Sequence, residues 1–115
     1  MSLAALSARA QVIRQLYDAQ ARQDGRRPWT ATEFAQGFAG DVGNLMKLVM
    51  AKQGLRRPSA TQSDLDAALV HELADCLWSV LVLAETCQVD LECAFAATMD
   101  ELERKLRASS VQDRP

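Results

Sequence analysis

Between Leu65 and Cys87 the chain leaves a helix almost no polar side. Leu69, Val70, Leu73, Leu77, Trp78, Val80, Leu81, Val82 and Leu83 point in every direction around its axis. A helix that is apolar all round has to be covered all round, which places it at the centre of a bundle or at a subunit interface. Into this segment the sequence sets two acids, Glu72 and Asp75. At ~100° per residue, positions i and i+3 lie about 60° apart, so the two carboxyl groups share one face. Glu72 falls on the side of Cys76 and Leu83, and Asp75 between Ala68 and Val82. Neither has a polar side to turn to, and an unpaired buried carboxylate is costly. Acid in that position, with no base in register, implies a bound cation.

The same spacing occurs once more, in Asp41-Val-Gly-Asn44. Thr30-Ala-Thr-Glu33 reads as a capping box that starts a helix reaching about Gly54. Its apolar side is drawn by Phe34, Phe38, Val42, Leu45, Leu48 and Val49, with Asp41 projecting between Leu45 and Leu48 and Asn44 at the edge. Two helices that present facing oxygen pairs form a cage for a hard divalent cation. Magnesium prefers oxygen ligands and keeps several waters, so a few carboxylates plus substrate phosphates complete its shell; manganese can replace it. Asp41, Glu72 and Asp75 supply three charges and Asn44 a neutral amide oxygen. From Pro58 to Glu103 there is no Lys or Arg, although ten Asp and Glu fall there. Lys47, one turn after Asn44, and Lys105 near the C-terminus are the candidates for meeting phosphate.

Hydrophobic residues make up 49% of the chain but aromatics only 5%, with 5 Gly and 3 Pro. That balance favours helices over sheet. A first helix is expected from about Ser2 to Gln23, turning Leu6, Ile13, Leu16 and Tyr17 to the core, and Asp24-Gly-Arg-Arg-Pro28 ends it. A polar connection, Arg56 to Ser63, leads to the apolar helix, with Ser63 as its cap. Asp90 opens a last helix to about Ser109, with Leu91, Ala94, Phe95, Met99, Leu102 and Leu106 inward, and residues 110–115 form a frayed tail. The 115 residues therefore predict one all-α domain, an up-and-down four-helix bundle completed by dimerisation or a higher homo-oligomer.

A formal charge of −2 argues against a globally basic nucleic-acid binder. The most apolar run, Leu77 to Ala84, is broken by Ser79 and is short for a bilayer span, so no membrane role is expected. Met1 to Arg9 lacks the pattern of a signal peptide. Cys76, Cys87 and Cys93 show no CxxC spacing and read as reduced, buried residues of a cytoplasmic protein. Gly37, Gly40 and Gly43 each cost a helix about 1 kcal/mol, which is explained if something bulky approaches there. His71 reads as a partly buried hydrogen-bonding residue, Trp78 as core, and Trp29 as the more open indole.

Phe38-Ala-Gly-Asp-Val-Gly-Asn-Leu45 resembles the first metal motif of the MazG-like, all-α nucleoside triphosphate pyrophosphohydrolases. His71-Glu-Leu-Ala-Asp-Cys-Leu-Trp-Ser-Val80 resembles the second, continued by Val89-Asp-Leu-Glu-Cys-Ala-Phe95. The likeness runs from about Trp29 to Lys105. It implies a helical, usually dimeric enzyme that uses magnesium to cleave a (deoxy)nucleoside triphosphate into monophosphate and pyrophosphate, with non-standard nucleotides as one class of substrate. It also implies that Asp41, Asn44, Glu72 and Asp75 hold the metal, with Glu72 the catalytic carboxylate. The family's second pair, ExxD, is intact in Glu72 and Asp75. In its first pair Asp41 and Asn44 stand where two Glu are usual, and Thr98 and Leu102 stand where a Lys and an Asn are frequent. Those departures define an alternative, a MazG-like nucleotide-binding or protein-interaction module with impaired catalysis.

Overall fold

A computed structural model of the chain describes residues 1–57 and 61–112, which form four α-helices and, among those residues, no strand. Ser2 accepts a hydrogen bond from the Ala5 N–H at 3.1 Å and starts α1 (Leu3–Gln23). Gly25, at φ 72°, turns the chain out of it. The expected capping box opens α2 (Ala31–Lys52). Glu33 accepts from the Thr30 N–H at 2.8 Å and from the Thr30 hydroxyl. These bonds, reinforced by one from Arg27, hold the Glu33 carboxyl down at about 2.

The third helix, α3 (Gln62–Thr86), begins earlier than expected. Its cap is Thr61, not Ser63, because the Thr61 hydroxyl stands the required three residues before the Asp64 N–H and accepts from it at 3.2 Å. Asp66, just past the first turn of α3, pairs with Lys52 at the end of α2, tying the two helices where they meet. Pro58, Ser59 and Ala60 of the polar connection lie outside the described residues.

α3 packs along α2 and, over a shorter stretch, α1. Ala10 from α1, Phe34 from α2, and Leu81 and Val82 from α3 make the core, bordered by Leu3, Leu6, Trp78, Leu83 and Leu91. Polar groups lock the α1–α3 seam. The Trp78 Nε1–H donates to the Ala10 carbonyl at 3.1 Å, and Arg14 donates to Thr86 Oγ1 at 3.0 Å. The Arg14 guanidinium also lies 5.4 Å above the Phe34 ring, a cation–π contact that pins α1 to α2.

Within the single chain the core is narrower than the sequence implies. α3 is not covered on every side, since Val70, Leu73 and Leu77 are exposed. The fourth helix, α4 (Leu91–Gln112), is not folded inward. Leu91 alone of its expected core set is partly covered, and Phe95, Met99, Leu102 and Leu106 face solvent. Within one chain the four helices therefore do not close into an up-and-down bundle; three pack together and the fourth leaves.

The reason is local. Gln88 adopts φ 58°, and the Val89 N–H reaches back to the Ala84 carbonyl at 2.8 Å, closing α3 in a Schellman-type end. Asp90 then caps α4 by accepting from the Cys93 N–H at 3.2 Å. Two caps separated by a single residue fix the direction in which α4 departs. The result is an elongated chain, 66 × 40 × 27 Å, with a radius of gyration of 18.5 Å against about 13 Å for a compact domain of this length.

The α4 backbone is helical to Gln112, and residues 113–115 lie outside the described residues. In α1, Leu16 and Tyr17 are exposed where the core was expected, because α1 meets α3 through the narrower stripe of Ala10, Arg14 and Ala21. Val42 and Val49 similarly fall off the buried side of α2. By length and composition alone α3 would also cross a membrane. Glu72 and Asp75 within it would each be expensive in such a span. Contrary to expectation Asp75 does have an open side, its side chain being 46% exposed where α3 is left uncovered.

Candidate functional site

The α2–α3 seam brings Asp41 against Glu72, and Asp41 and Asp75 open on one cavity. Burial first, then the charges of Asp41 and Asp75 and a contact between the Glu72 and Asp41 carboxyl groups, pushes the Glu72 carboxyl above its ordinary pKa. Burial first, then Asp41, Glu72 and Asp75, likewise pushes up the thiol of Cys76, one turn further on. Glu72 Oε1 is fully buried and has no hydrogen-bond partner. Native interiors rarely leave an acceptor in that state without an ion or water nearby.

Counter-charge from the protein is almost absent. Among the described residues no Lys or Arg forms an ion pair with any of the three acids, and Asp75 has only His71, whose Nε2 lies 3.1 Å from its carboxylate one turn away. His71 is exposed rather than partly buried as expected, because position 71 sits on the outer side of α3. A donor set of carboxylate oxygens carrying uncompensated charge, one oxygen of it orphaned, fits a hard divalent cation. Among the described residues no three His, Cys, Asp or Glu side chains already close into a metal-ligand cluster, so an ion touching all three acids requires their side chains to turn towards it.

Asp41 and Asp75 open onto a cavity of about 630 Å³. Its walls come from all three packed helices: Ile13, Tyr17 and Ala21 of α1, Phe34 and Gly37 of α2, and Ala74, Trp78 and Ser79 of α3, with Arg26 and Trp29 from the α1–α2 connection. Four aromatic rings run along it edge to face. Tyr17 meets Trp78 at 5.7 Å between centroids, Trp78 meets Phe34 at 5.9 Å, and Phe34 meets Trp29 at 5.5 Å. A pocket of this size, mostly apolar, with a few acidic groups at one side suits a small planar ligand bearing a metal-bound anion. Glu72 is not among the lining residues.

The other expected site residues are not gathered here. Asn44 and Lys47 are exposed on α2 and do not line the cavity. Lys105 sits on the departing α4, paired with Glu101 at 3.0 Å. Trp78, expected in the core, borders the core and the cavity at once, and Trp29 is the open indole, as expected. Cys76 is buried, but Cys87 and Cys93 are exposed at the α3–α4 corner; all three are free. The cavity residues missed from sequence are Tyr17 of α1 and Arg26 of the α1–α2 connection. For Tyr17 the only signal was an aromatic on a helix otherwise rich in Ala and Gln.

The glycines divide in two. A Cβ at position 37 would stand 3.1 Å from Trp29 Cζ3, so Gly37 lets the indole close over α2, whereas Gly40 and Gly43 have nothing within 4 Å. Replacing Gly40 by Ala is expected to raise stability by up to about 1 kcal/mol through helix propensity alone. Gly37→Ala should forfeit that gain and displace the indole at the cavity mouth. Denaturant melts of both variants, with Trp fluorescence read alongside, check the contrast.

No family model, curated protein or solved structure matches this chain.

Proposed function

We propose that the chain is a magnesium-dependent nucleoside triphosphate pyrophosphohydrolase of the MazG-like kind, converting a (deoxy)nucleoside triphosphate to monophosphate and pyrophosphate. One observation carries this reading: a buried, partnerless Glu72 oxygen beside Asp41 and Asp75, next to an aromatic-lined cavity on which both aspartates open. Asp41, Glu72 and Asp75 would hold magnesium or manganese, which when bound neutralises the triphosphate and makes a water more acidic. The rings of Tyr17, Trp29 and Trp78 offer a stacking wall for the base. Water attacks the α-phosphorus, the bond to the oxygen bridging the α and β phosphates breaks, and pyrophosphate leaves. Glu72, its proton affinity raised by its surroundings, would have to turn towards the cavity, which it does not itself line, to accept the proton of that water. The three free cysteines suit a reducing, cytoplasmic setting.

The second reading, a binding module without turnover, is favoured by the exposure of Asn44 and Lys47 and by the distance of α4 from the cavity walls. A panel of nucleoside triphosphates incubated with magnesium or manganese separates the two. Pyrophosphate release that depends on the metal supports the enzyme. A rise in melting temperature with nucleotide but no product supports the module, since a ligand of the native state raises stability whether or not it is consumed. No effect of metal or nucleotide on either readout excludes both.

A further inference from the structure

The cavity changes character along α3. Asp75, its side chain 46% exposed, stands at the open side, and Ser79, one turn on and about 6 Å further by helical rise, is 4% exposed. Among the described residues Ser79 is the one buried polar side chain, and its hydroxyl makes no hydrogen bond there. Interiors rarely leave such a group unpaired, and in a cavity wall its partner is a polar atom of the ligand. A second group is also unspent. Asp18 of α1 lines the same cavity and lies 3.9 Å from Arg14 Nε, too far for a hydrogen bond.

The donors around the cavity are already committed. The Trp78 Nε1–H goes to the Ala10 carbonyl, and Arg26 donates to Asp24 at 3.1 Å. Tyr17 and Gln20 can donate or accept, so the balance stays with acceptors. The edge-to-face rings of Tyr17, Trp78, Phe34 and Trp29 make the rest of the wall suit a flat ligand.

We infer that the cavity selects an amino-bearing base, with an exocyclic amino group beside an unprotonated ring nitrogen, as in cytosine and adenine. The amino group donates to the Asp18 carboxylate, and the ring nitrogen accepts from the Ser79 hydroxyl. Uracil and hypoxanthine reverse the pattern: a carbonyl oxygen meets the carboxylate, and a ring N–H replaces the acceptor. The inference rests on the nucleotide reading above, which assigns metal and phosphates to Asp41 and Asp75, and it adds the base. Asp18 and Ser79 are then specificity-determining residues, remote from the reacting phosphorus.

Both tryptophans of the chain, Trp29 and Trp78, line the cavity, so their fluorescence reports occupancy without turnover. Titrations in magnesium with the 5′-monophosphates of cytidine and uridine, and of adenosine and inosine, supply the test. The amino member of each pair is expected to bind about tenfold tighter than its oxo counterpart, the scale of one hydrogen bond to a charged group. Asp18→Asn, whose amide donates as well as accepts, should shrink that preference to about threefold or less. Ser79→Ala should weaken the amino member about tenfold with far-UV circular dichroism unchanged. An oxo member that binds as tightly as its amino counterpart in either pair overturns the inference. So does binding of none of the four, or a preference undiminished in both variants. Metal-dependent pyrophosphate release that ignores the base removes this inference and leaves the hydrolase reading standing. A preference in binding without any release leaves the base assignment standing and removes the hydrolase.

Discussion

Glu72→Gln protein is expected to release pyrophosphate about 10²–10⁴-fold more slowly than wild type, the range spanned by loss of a positioned general base. The same variant should be no less stable, and at neutral pH without metal it should be more stable. The wild-type chain must either keep a proton on a buried carboxyl or ionise it beside two other carboxylates, and its pKa is raised accordingly. A raised carboxyl pKa means that the native state holds the proton more tightly than the unfolded chain does. Stability from this group is therefore fully present below the unfolded value and is lost as pH rises through the folded one. The advantage of Glu72→Gln should accordingly be absent in acid and grow towards neutrality, which thermal melts of both proteins across pH will read.

Adding magnesium should reverse the order. A metal held by the native state at a hundred times its dissociation constant contributes about 2.7 kcal/mol, and only the chain with Glu72 intact is expected to gain it. Equal turnover by the two proteins, with superimposable melts in metal and across pH, would mean that Glu72 is an ordinary solvated side chain and that the site lies elsewhere.

Phe34→Ala is expected to have the largest effect on the fold. Phe34 is 3% exposed and touches every layer of the packed part. Trp29 and Trp78 meet its edges, Arg14 lies over its face, and Ala10, Leu81 and Val82 share its cluster. Truncating a buried Phe costs about 3–5 kcal/mol, including the void left behind. Total stability in small domains is only about 5–15 kcal/mol, and here α4 adds little to the core of a single chain. A fall in melting temperature of at least about 12 °C follows, at roughly 4 °C or more per kcal/mol. Because Phe34 also forms a wall of the cavity, nucleotide binding should weaken with it. Leu106→Ala is the control. A loss within about 0.5 kcal/mol is expected for the monomer, since that side chain touches no part of its own core. A Phe34→Ala protein that melts within a few degrees of wild type would show that the three-helix core is held by something other than this ring.

The helices were readable because their start and stop signals are local. Thr30 and Glu33 sit three apart and cap each other, Gly25 supplies a positive φ, and the apolar stretch after Leu65 has no charge to break it before Glu72 except Asp66. The meeting of Asp41 with Glu72 and Asp75 was readable for a similar reason. Acids on the two most apolar helices have few places to go once those helices pack, and the raised pKa of Glu72 reflects its burial first and that meeting second. The cavity was not readable. Tyr17 and Trp29 reach it from positions that carry no periodic signal, since their placement depends on how α1 crosses α3 and on the small footprint of Gly37.

Short-range chemistry in the sequence thus determined four helices, their caps and the acids that share a face, because hydrogen bonds between residues three and four apart need no distant partner. Tertiary structure alone decided which apolar stripes are covered. Phe95, Met99, Leu102 and Leu106 have the pattern of a core helix, yet the turn at Gln88 and the cap at Asp90 carry them away from their own chain. Burial is a property of where two surfaces meet. A periodic stripe states only that a helix has an apolar side, and the angle of one corner selects what that side will touch.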